Sequence, residues 1–200
     1  MSWSKKDIGF DLNRGCLMNY FVLIFGVFVF ALPSSHAVSN LPTDERMMVY
    51  INFITTWTSH EYHGEPLPEI VVIKQSQVQI YSYGPEVVAM SEYKGTPLPT
   101  IYAAYDRHDK TIYLSDQIPS DIEGLQELAI LHELVHYLQD ISGFTASVEG
   151  HLACTESEAY DVQYLWQLQN NINLKALPLV QELSLLSAMK CMGNQFKQFK

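Results

Sequence analysis

Apolar residues recur at helical spacing in several stretches of the chain. Thr43 can cap the first of these helices, because two acidic residues follow it in the first turn. A capping box at Ser120–Glu123 is expected to open a second, strongly apolar helix, and Gly143 is expected to end it. The pattern predicts helices over residues 43–60, 120–142, 148–170 and 179–191.

Short runs of β-branched and aromatic residues predict a small sheet. The clearest is residues 69–74, and residues 101–105 and 111–115 read as a hairpin around a polar turn. Residues 78–83 are a weaker strand candidate, and residues 82–99, rich in Gly and Pro, are expected to be mostly loop. No repeat or linker divides the chain, so we expect one α+β domain over residues 38–200, with a short mixed sheet packed on the long apolar helix.

The first 37 residues have the character of a secretory signal. A basic front precedes an apolar run of 13 residues, which is shorter than the roughly 20 that span a bilayer. Ser35 and Ala37 are small residues, as expected three positions and one position before a cleavage that follows Ala37. An uncleaved anchor over residues 17–32 is the alternative. Either case predicts an exported protein, periplasmic or secreted, in which Cys154 and Cys191 can form a disulfide. Two buried free thiols are the alternative to that bridge.

Composition excludes several classes of function. The chain has 22 acidic and 12 basic residues and a net charge of −10, which offers no electrostatic footprint for nucleic acid or for an anionic membrane surface. It is 48% hydrophobic, enough to exclude a disordered chain.

Candidate chemistry lies in the long apolar helix, at His132-Glu133-Leu134-Val135-His136. Residues four apart share a helix face, so both imidazoles can bind one metal ion. Glu133 lies beside the pair and can act as a general base toward a metal-activated water. Residue types and spacing therefore predict a Zn²⁺ site in which His132 and His136 are ligands and Glu133 is catalytic.

A catalytic zinc needs a third protein ligand, and the helix that follows offers two carboxylates. Glu156 shares the apolar stripe of its helix, whereas Glu158 shares a more polar one. A carboxylate on the core face needs a cation, so Glu156 is favoured while Glu158 stays open; His151 is a weaker candidate.

The motif His132-Glu133-x-x-His136, followed by Glu156 after 19 intervening residues, resembles the gluzincin branch of zinc metallopeptidases. Glu156-x-x-Ala159 is similar to the downstream helix of minigluzincins and of uncharacterised, zincin-like putative metallopeptidases. The resemblance implies two packed helices that carry the ligands, and a sheet whose edge strand pairs with an extended peptide substrate. Ile112–Ser115 precedes the active helix and is expected to be that edge strand.

One position departs from this family pattern. Many gluzincins carry Asp or Asn four residues after the third ligand, where it supports a ligand histidine, but this chain has Tyr160 there. Its hydroxyl could accept an imidazole N–H or stabilise an oxyanion. Another histidine pair, in His60-Glu61-Tyr62-His63, lies before Gly and Pro and is interpreted as a solvated turn.

The sequence thus predicts a zinc-dependent peptidase that acts on peptides or proteins. Two alternatives stay open. A non-catalytic module with structural zinc would close the fourth coordination position, for instance through Cys154 or His151. A hydrolase of a non-peptide amide would lack an exposed edge strand near the site.

Overall fold

The computed structural model describes residues 41–120, 122–144 and 152–172. The expected signal or anchor over residues 1–37, the last predicted helix at 179–191, and both His151 and Cys191 lie outside this part of the chain. The Cys154–Cys191 bridge therefore stays a prediction. No helix in the described residues is both long enough and apolar enough to cross a bilayer.

Five helices and three strands make up the described residues, which confirms the α+β class with a mixed sheet. In chain order they are α1 (Asp44–Trp57), β1 (Glu69–Ile73), α2 (Gln75–Tyr83), α3 (Pro85–Lys94), β2 (Ala103–Asp106), β3 (Thr111–Ser115), α4 (Leu125–Ile141) and α5 (Leu152–Asn170).

The start of α1 is as predicted. The Thr43 hydroxyl accepts a hydrogen bond from the Arg46 amide (3.3 Å), and Asp44 and Glu45 occupy the first turn, where negative charge is favourable. The start of α4 is different, because the helix begins at Leu125, after Gly124 in a left-handed conformation with no side-chain cap. The capping box predicted at Ser120–Glu123 is therefore wrong.

Two stretches between β1 and β2 are helical, so the strand predicted at 78–83 and the loop predicted at 82–99 are wrong. α2 buries only Val78 and Tyr83, and α3 buries no side chain. Such helices have no broad apolar stripe for a periodicity argument to detect. Their ends are nevertheless marked in the sequence, by Pro85 at the start of α3 and by left-handed Gly95 at its end.

The sheet has the strand order β1–β3–β2, with β1 parallel and β2 antiparallel to β3. The hairpin is as predicted, but β3 is the central strand. The expectation that Ile112–Ser115 forms the substrate-pairing edge is therefore wrong, because β1 covers its other side. The edge beside α4 is β2, whose Tyr105 amide hydrogen-bonds to Glu133 of α4.

The helix α4 is the centre of the hydrophobic core. Its apolar side chains are buried around most of the circumference, against the sheet on one side and α5 on the other. The fully buried ones are Leu128, Ile130, Leu131, Leu134, Val135, Tyr137 and Leu138. Burial of this extent fixes the rotation of the helix, and with it the direction of the polar side chains that it carries.

Gly124 should be the least replaceable glycine next to α4. Its φ is +77°, and a Cβ there would lie 3.0 Å from Cγ2 of Ile172. We expect Gly124→Ala to lower the free energy of unfolding by about 2–4 kcal/mol, since left-handed strain and overpacking add. Gly143→Ala is the matched control: its φ is +72°, and no atom of the described residues would lie within 4 Å of a Cβ there, so only the strain, about 1–2 kcal/mol, applies. Equal losses in urea unfolding would contradict the close approach.

Candidate metal centre

Two imidazoles on one face of α4 form the start of the site. His132 and His136 are one helical turn apart, and their Nε2 atoms are 3.1 Å from each other. Both rings are largely buried, with side chains 11% and 17% exposed. Two nitrogen lone pairs this close repel each other, so a proton or a metal ion must lie between them.

Glu156 of α5 completes the group. Its Oε2 lies 3.3 Å from Nε2 of His132 and its Oε1 lies 3.2 Å from Nε2 of His136. These three side chains could together hold a metal ion. Ligand atoms at 2.0–2.1 Å from a tetrahedral zinc would be about 3.3 Å from one another, close to the separations found here. The carboxylate beside both histidines is thus Glu156, the one favoured from sequence.

The imidazole of His132 is oriented by Gln163 of α5. Oε1 of Gln163 lies 3.1 Å from Nδ1 of His132, and its Nε2 donates to the carbonyl of Leu128 (2.8 Å). A carbonyl only accepts, so the amide must present its oxygen to the ring. Nδ1 of His132 therefore carries the proton, and Nε2 faces the metal position.

Gln139 has the same role at His136. Its Oε1 accepts from Nδ1 of His136 (2.8 Å), while its Nε2 donates to the Thr155 carbonyl (3.0 Å) and to Oε2 of Glu158 (2.8 Å). Gln139 is fully buried. Both rings are thereby held in the tautomer that directs Nε2 to a metal ion.

Gln139 and Gln163, the outer partners of the two candidate ligands, were not predicted from the sequence. The Tyr160 hydroxyl was one possible acceptor for an imidazole N–H, but the partner of the His132 Nδ1 is Gln163, and Tyr160 lies against the His132 ring with centroids 4.7 Å apart. A signal was available: Gln139 lies three residues after His136 and Gln163 seven after Glu156, each at helical spacing from a ligand.

Glu133 is buried and is held by the sheet. Its Oε2 accepts a hydrogen bond from the backbone amide of Tyr105 in β2 (2.8 Å). Burial raises the pKa of this carboxyl, although the nearby charges of His132 and His136 act in the opposite direction. The predicted base thus lies beside the group without belonging to it.

The charges within the group favour an ion pair. Burial alone would raise the pKa of Glu156, but attraction to His136 and hydrogen bonds from both histidines outweigh it and hold that pKa well below its usual range. Burial alone would lower the pKa of His136, but the Glu156 carboxylate raises it to about 9. The anionic carboxylate that a divalent cation requires is therefore present at neutral pH.

His60 is not in a solvated turn, so that interpretation is wrong for it, although His63 is 70% exposed as expected. The His60 ring is buried, with Nε2 2.6 Å from Oε2 of Glu158 and Nδ1 3.0 Å from Oγ of Ser142. Burial alone would raise the pKa of Glu158, but hydrogen bonds from His60 and Gln139, together with attraction to His60, outweigh it and lower that pKa. Glu158 thus faces a neighbour of the site, not the metal position.

Among the residues that the structure describes, the group has three members. Cys154 is buried and does not belong to it, and His151 lies outside the described residues. Three protein ligands leave a tetrahedral ion one position for solvent or substrate, as catalytic zinc sites require.

Comparisons with models of known protein families, with curated proteins and with solved structures find no match to this chain. The resemblance to gluzincins therefore depends on the residues of the site alone.

Proposed function

We propose that the protein is a zinc-dependent peptidase of the gluzincin type, exported from the cell. The observation that carries the proposal is the position of a buried carboxylate, Glu133, beside a three-residue group that can hold a metal ion. Two histidines and one carboxylate are a donor set that suits zinc, and both histidines have outer partners that fix the required tautomer.

A bound zinc ion would supply a water molecule whose pKa is near 7 and would polarise the scissile carbonyl. Glu133 would accept a proton from that water as its oxygen forms a bond to the carbonyl carbon. The same carboxyl would then deliver the proton to the leaving amine as the C–N bond breaks. The Tyr105 amide holds one oxygen of Glu133, which leaves the other for this transfer.

The edge strand β2 directs some of its backbone groups toward the side of Glu133. The Ser115 amide donates to the Tyr102 carbonyl (2.8 Å), so that pair is hydrogen-bonded. Bonded and non-bonded pairs alternate in an antiparallel ladder, and the register places Ala103 and Tyr105 in non-bonded pairs. Their backbone groups therefore point away from β3, on the side where the Tyr105 amide is bonded to Glu133 and Ala103 is only 5% exposed. An extended peptide would pair with Ala103 only after the groups that cover it move aside.

A peptide substrate is what the resemblance to gluzincins implies, and comparing cleavage of peptides with cleavage of non-peptide amides decides between the two substrate classes. Within the described residues the group has three members, and a structural site supplies four protein ligands, so this part of the chain favours catalysis over a structural zinc site.

The proposal is tested by hydrolysis of an unstructured protein substrate such as casein. We expect cleavage by the zinc-loaded protein, loss of cleavage after chelation and recovery when zinc is restored. Cleavage that survives complete removal of the metal, or its absence from fully loaded protein with a battery of unstructured peptides, would contradict the proposal.

Zinc binding should release a proton. With a pKa raised from about 6.5 to about 9, His136 is protonated at pH 7.5 in the metal-free protein, and zinc must displace that proton. The attraction between His136 and Glu156 stabilises the metal-free fold fully below about pH 6.5 and is lost as the pH rises through 9.

We therefore expect at least one proton per zinc bound at pH 7.5, about one of them from His136 and any further one from a zinc-bound water, and an apparent affinity that rises at least about tenfold per pH unit between pH 7 and 8. Calorimetry in buffers of different ionisation enthalpy measures the proton. Binding without proton release at pH 7.5 would show that His136 is neutral before the metal arrives.

A further inference from the structure

A second layer of polar side chains lies behind His136, on the side away from the metal position. Gln139 is its first member, and each polar atom of that amide is engaged: Oε1 with His136, and Nε2 with both the Thr155 carbonyl and Glu158. An amide held at both ends cannot rotate and present its nitrogen to the ring.

Glu158 is the second member. Its Oε2 accepts from Nε2 of Gln139 (2.8 Å) and from Nε2 of His60 (2.6 Å). The His60 ring is only 3% exposed; it contacts Ser142 Oγ at 3.0 Å and lies edge-on to the Phe144 ring, with centroids 5.2 Å apart. A buried ring therefore fixes a carboxylate that is itself 26% exposed.

We propose that Glu158 and His60 are positioning residues for the metal site and act on His136 through the amide of Gln139. This inference rests on the proposed metal site and extends it to two residues that contact neither metal nor substrate. Glu158 belongs to α5 and His60 to the segment after α1, so the chain of contacts joins three parts of the fold at one ligand.

Nε2 of Gln139 donates to both the Thr155 carbonyl and Glu158, and the charge of Glu158 makes the second hydrogen bond the stronger one. A hydrogen bond to a carboxylate is stronger than one to a carbonyl, and it polarises the amide that donates it. The Oε1 of Gln139 becomes a better acceptor for the Nδ1 proton of His136, and the opposite nitrogen becomes a better metal ligand. Replacing Glu158 should therefore change the zinc affinity only when Gln139 is present.

A double-mutant cycle tests this requirement in the full chain, with zinc affinity measured by competition with a chromophoric chelator. We expect Gln139→Leu to weaken zinc binding about 10–100-fold and Glu158→Gln about 3–10-fold, since Glu158 is one contact further away. In the Gln139→Leu background, Glu158→Gln should add nothing. His60→Leu should resemble Glu158→Gln, whereas His60→Gln keeps a donor for the carboxylate and should restore most of the affinity.

Glu127→Gln is the matched control. Glu127 also ties α4 to another element, through Arg46 and Tyr50 of α1, and its side chain is 24% exposed. It has no contact with the site, so its loss should change stability and leave zinc affinity unchanged. A Glu158→Gln variant with wild-type affinity, or one whose loss is undiminished in the Gln139→Leu background, would overturn the proposal.

A readout without metal separates this proposal from the proposed function. In metal-free protein, the Nδ1 proton of His136 should exchange slowly with solvent, and Glu158→Gln should speed its exchange while Glu127→Gln does not. Zinc binding with no peptide hydrolysis would defeat the proposed function alone. Unchanged exchange and affinity in Glu158→Gln, with hydrolysis intact, would defeat the positioning role alone.

Discussion

Glu133→Gln should lower kcat for peptide hydrolysis by about 10²–10⁴-fold, the range expected for the loss of a general base. The substitution keeps the size and shape of the side chain. Its amide oxygen can still accept the hydrogen bond from the Tyr105 amide that holds Glu133 in place. It cannot accept a proton from water or return one to the leaving amine.

Zinc content should be unchanged in this variant, because Glu133 lies outside the group of possible ligands. Measuring zinc stoichiometry beside kcat separates loss of the base from loss of the metal. Glu127→Gln, on the same helix but away from the site, is the control and should retain activity. Glu133→Gln protein that keeps its zinc and cleaves at the wild-type rate would exclude Glu133 as the base.

Glu156→Gln should weaken zinc binding more than the roughly 10–100-fold that is typical when an outer partner is lost. Glu156 is the carboxylate within 3.3 Å of both imidazole Nε2 atoms, and its neutral replacement is a poor ligand. The charge that raises the pKa of His136 to about 9 disappears as well, so the metal-free site also loses its ion pair.

The same substitution at Glu158 should cost far less, because that carboxylate faces His60 and Gln139. The two glutamates are two residues apart on one helix and receive the same chemical change. The two variants therefore differ only in the direction that the replaced side chain faces. A larger loss of affinity at Glu158 than at Glu156 would reverse the assignment of the third ligand.

The core of the site could be predicted because its geometry is local. His132, Glu133 and His136 lie within five residues of one helix, and helical spacing alone places both imidazoles on one face. Glu156 could be favoured for a similar reason, since a carboxylate on the apolar face of its own helix requires a cation.

The supporting residues could not be predicted because their roles depend on distant contacts. The buried ring of His60 has its hydrogen-bond partners far away in the chain, at Ser142 and at Glu158, which is 98 residues later. Gln163 presents its oxygen to His132 because its Nε2 donates to the carbonyl of Leu128, 35 residues earlier in the chain. A short sequence motif shows neither this contact nor the one between His60 and Glu158.

The order of the strands and the two short helices, α2 and α3, were not predicted, for related reasons. The central position of β3 follows from its parallel pairing with β1, about 40 residues earlier, which no hairpin signal contains. α2 and α3 bury only two side chains between them. Helix propensity and the residues that mark helix ends were therefore the only sequence features that could indicate them.

X-ray absorption at the zinc edge of the zinc-loaded protein identifies the atoms that bind the ion. We predict four nitrogen or oxygen ligands at about 2.0–2.2 Å, with the outer-shell scattering of two imidazoles and no sulfur. A sulfur ligand at about 2.3 Å would indicate a closed structural site that recruits a cysteine. A spectrum without two imidazoles would show that His132 and His136 do not hold the ion.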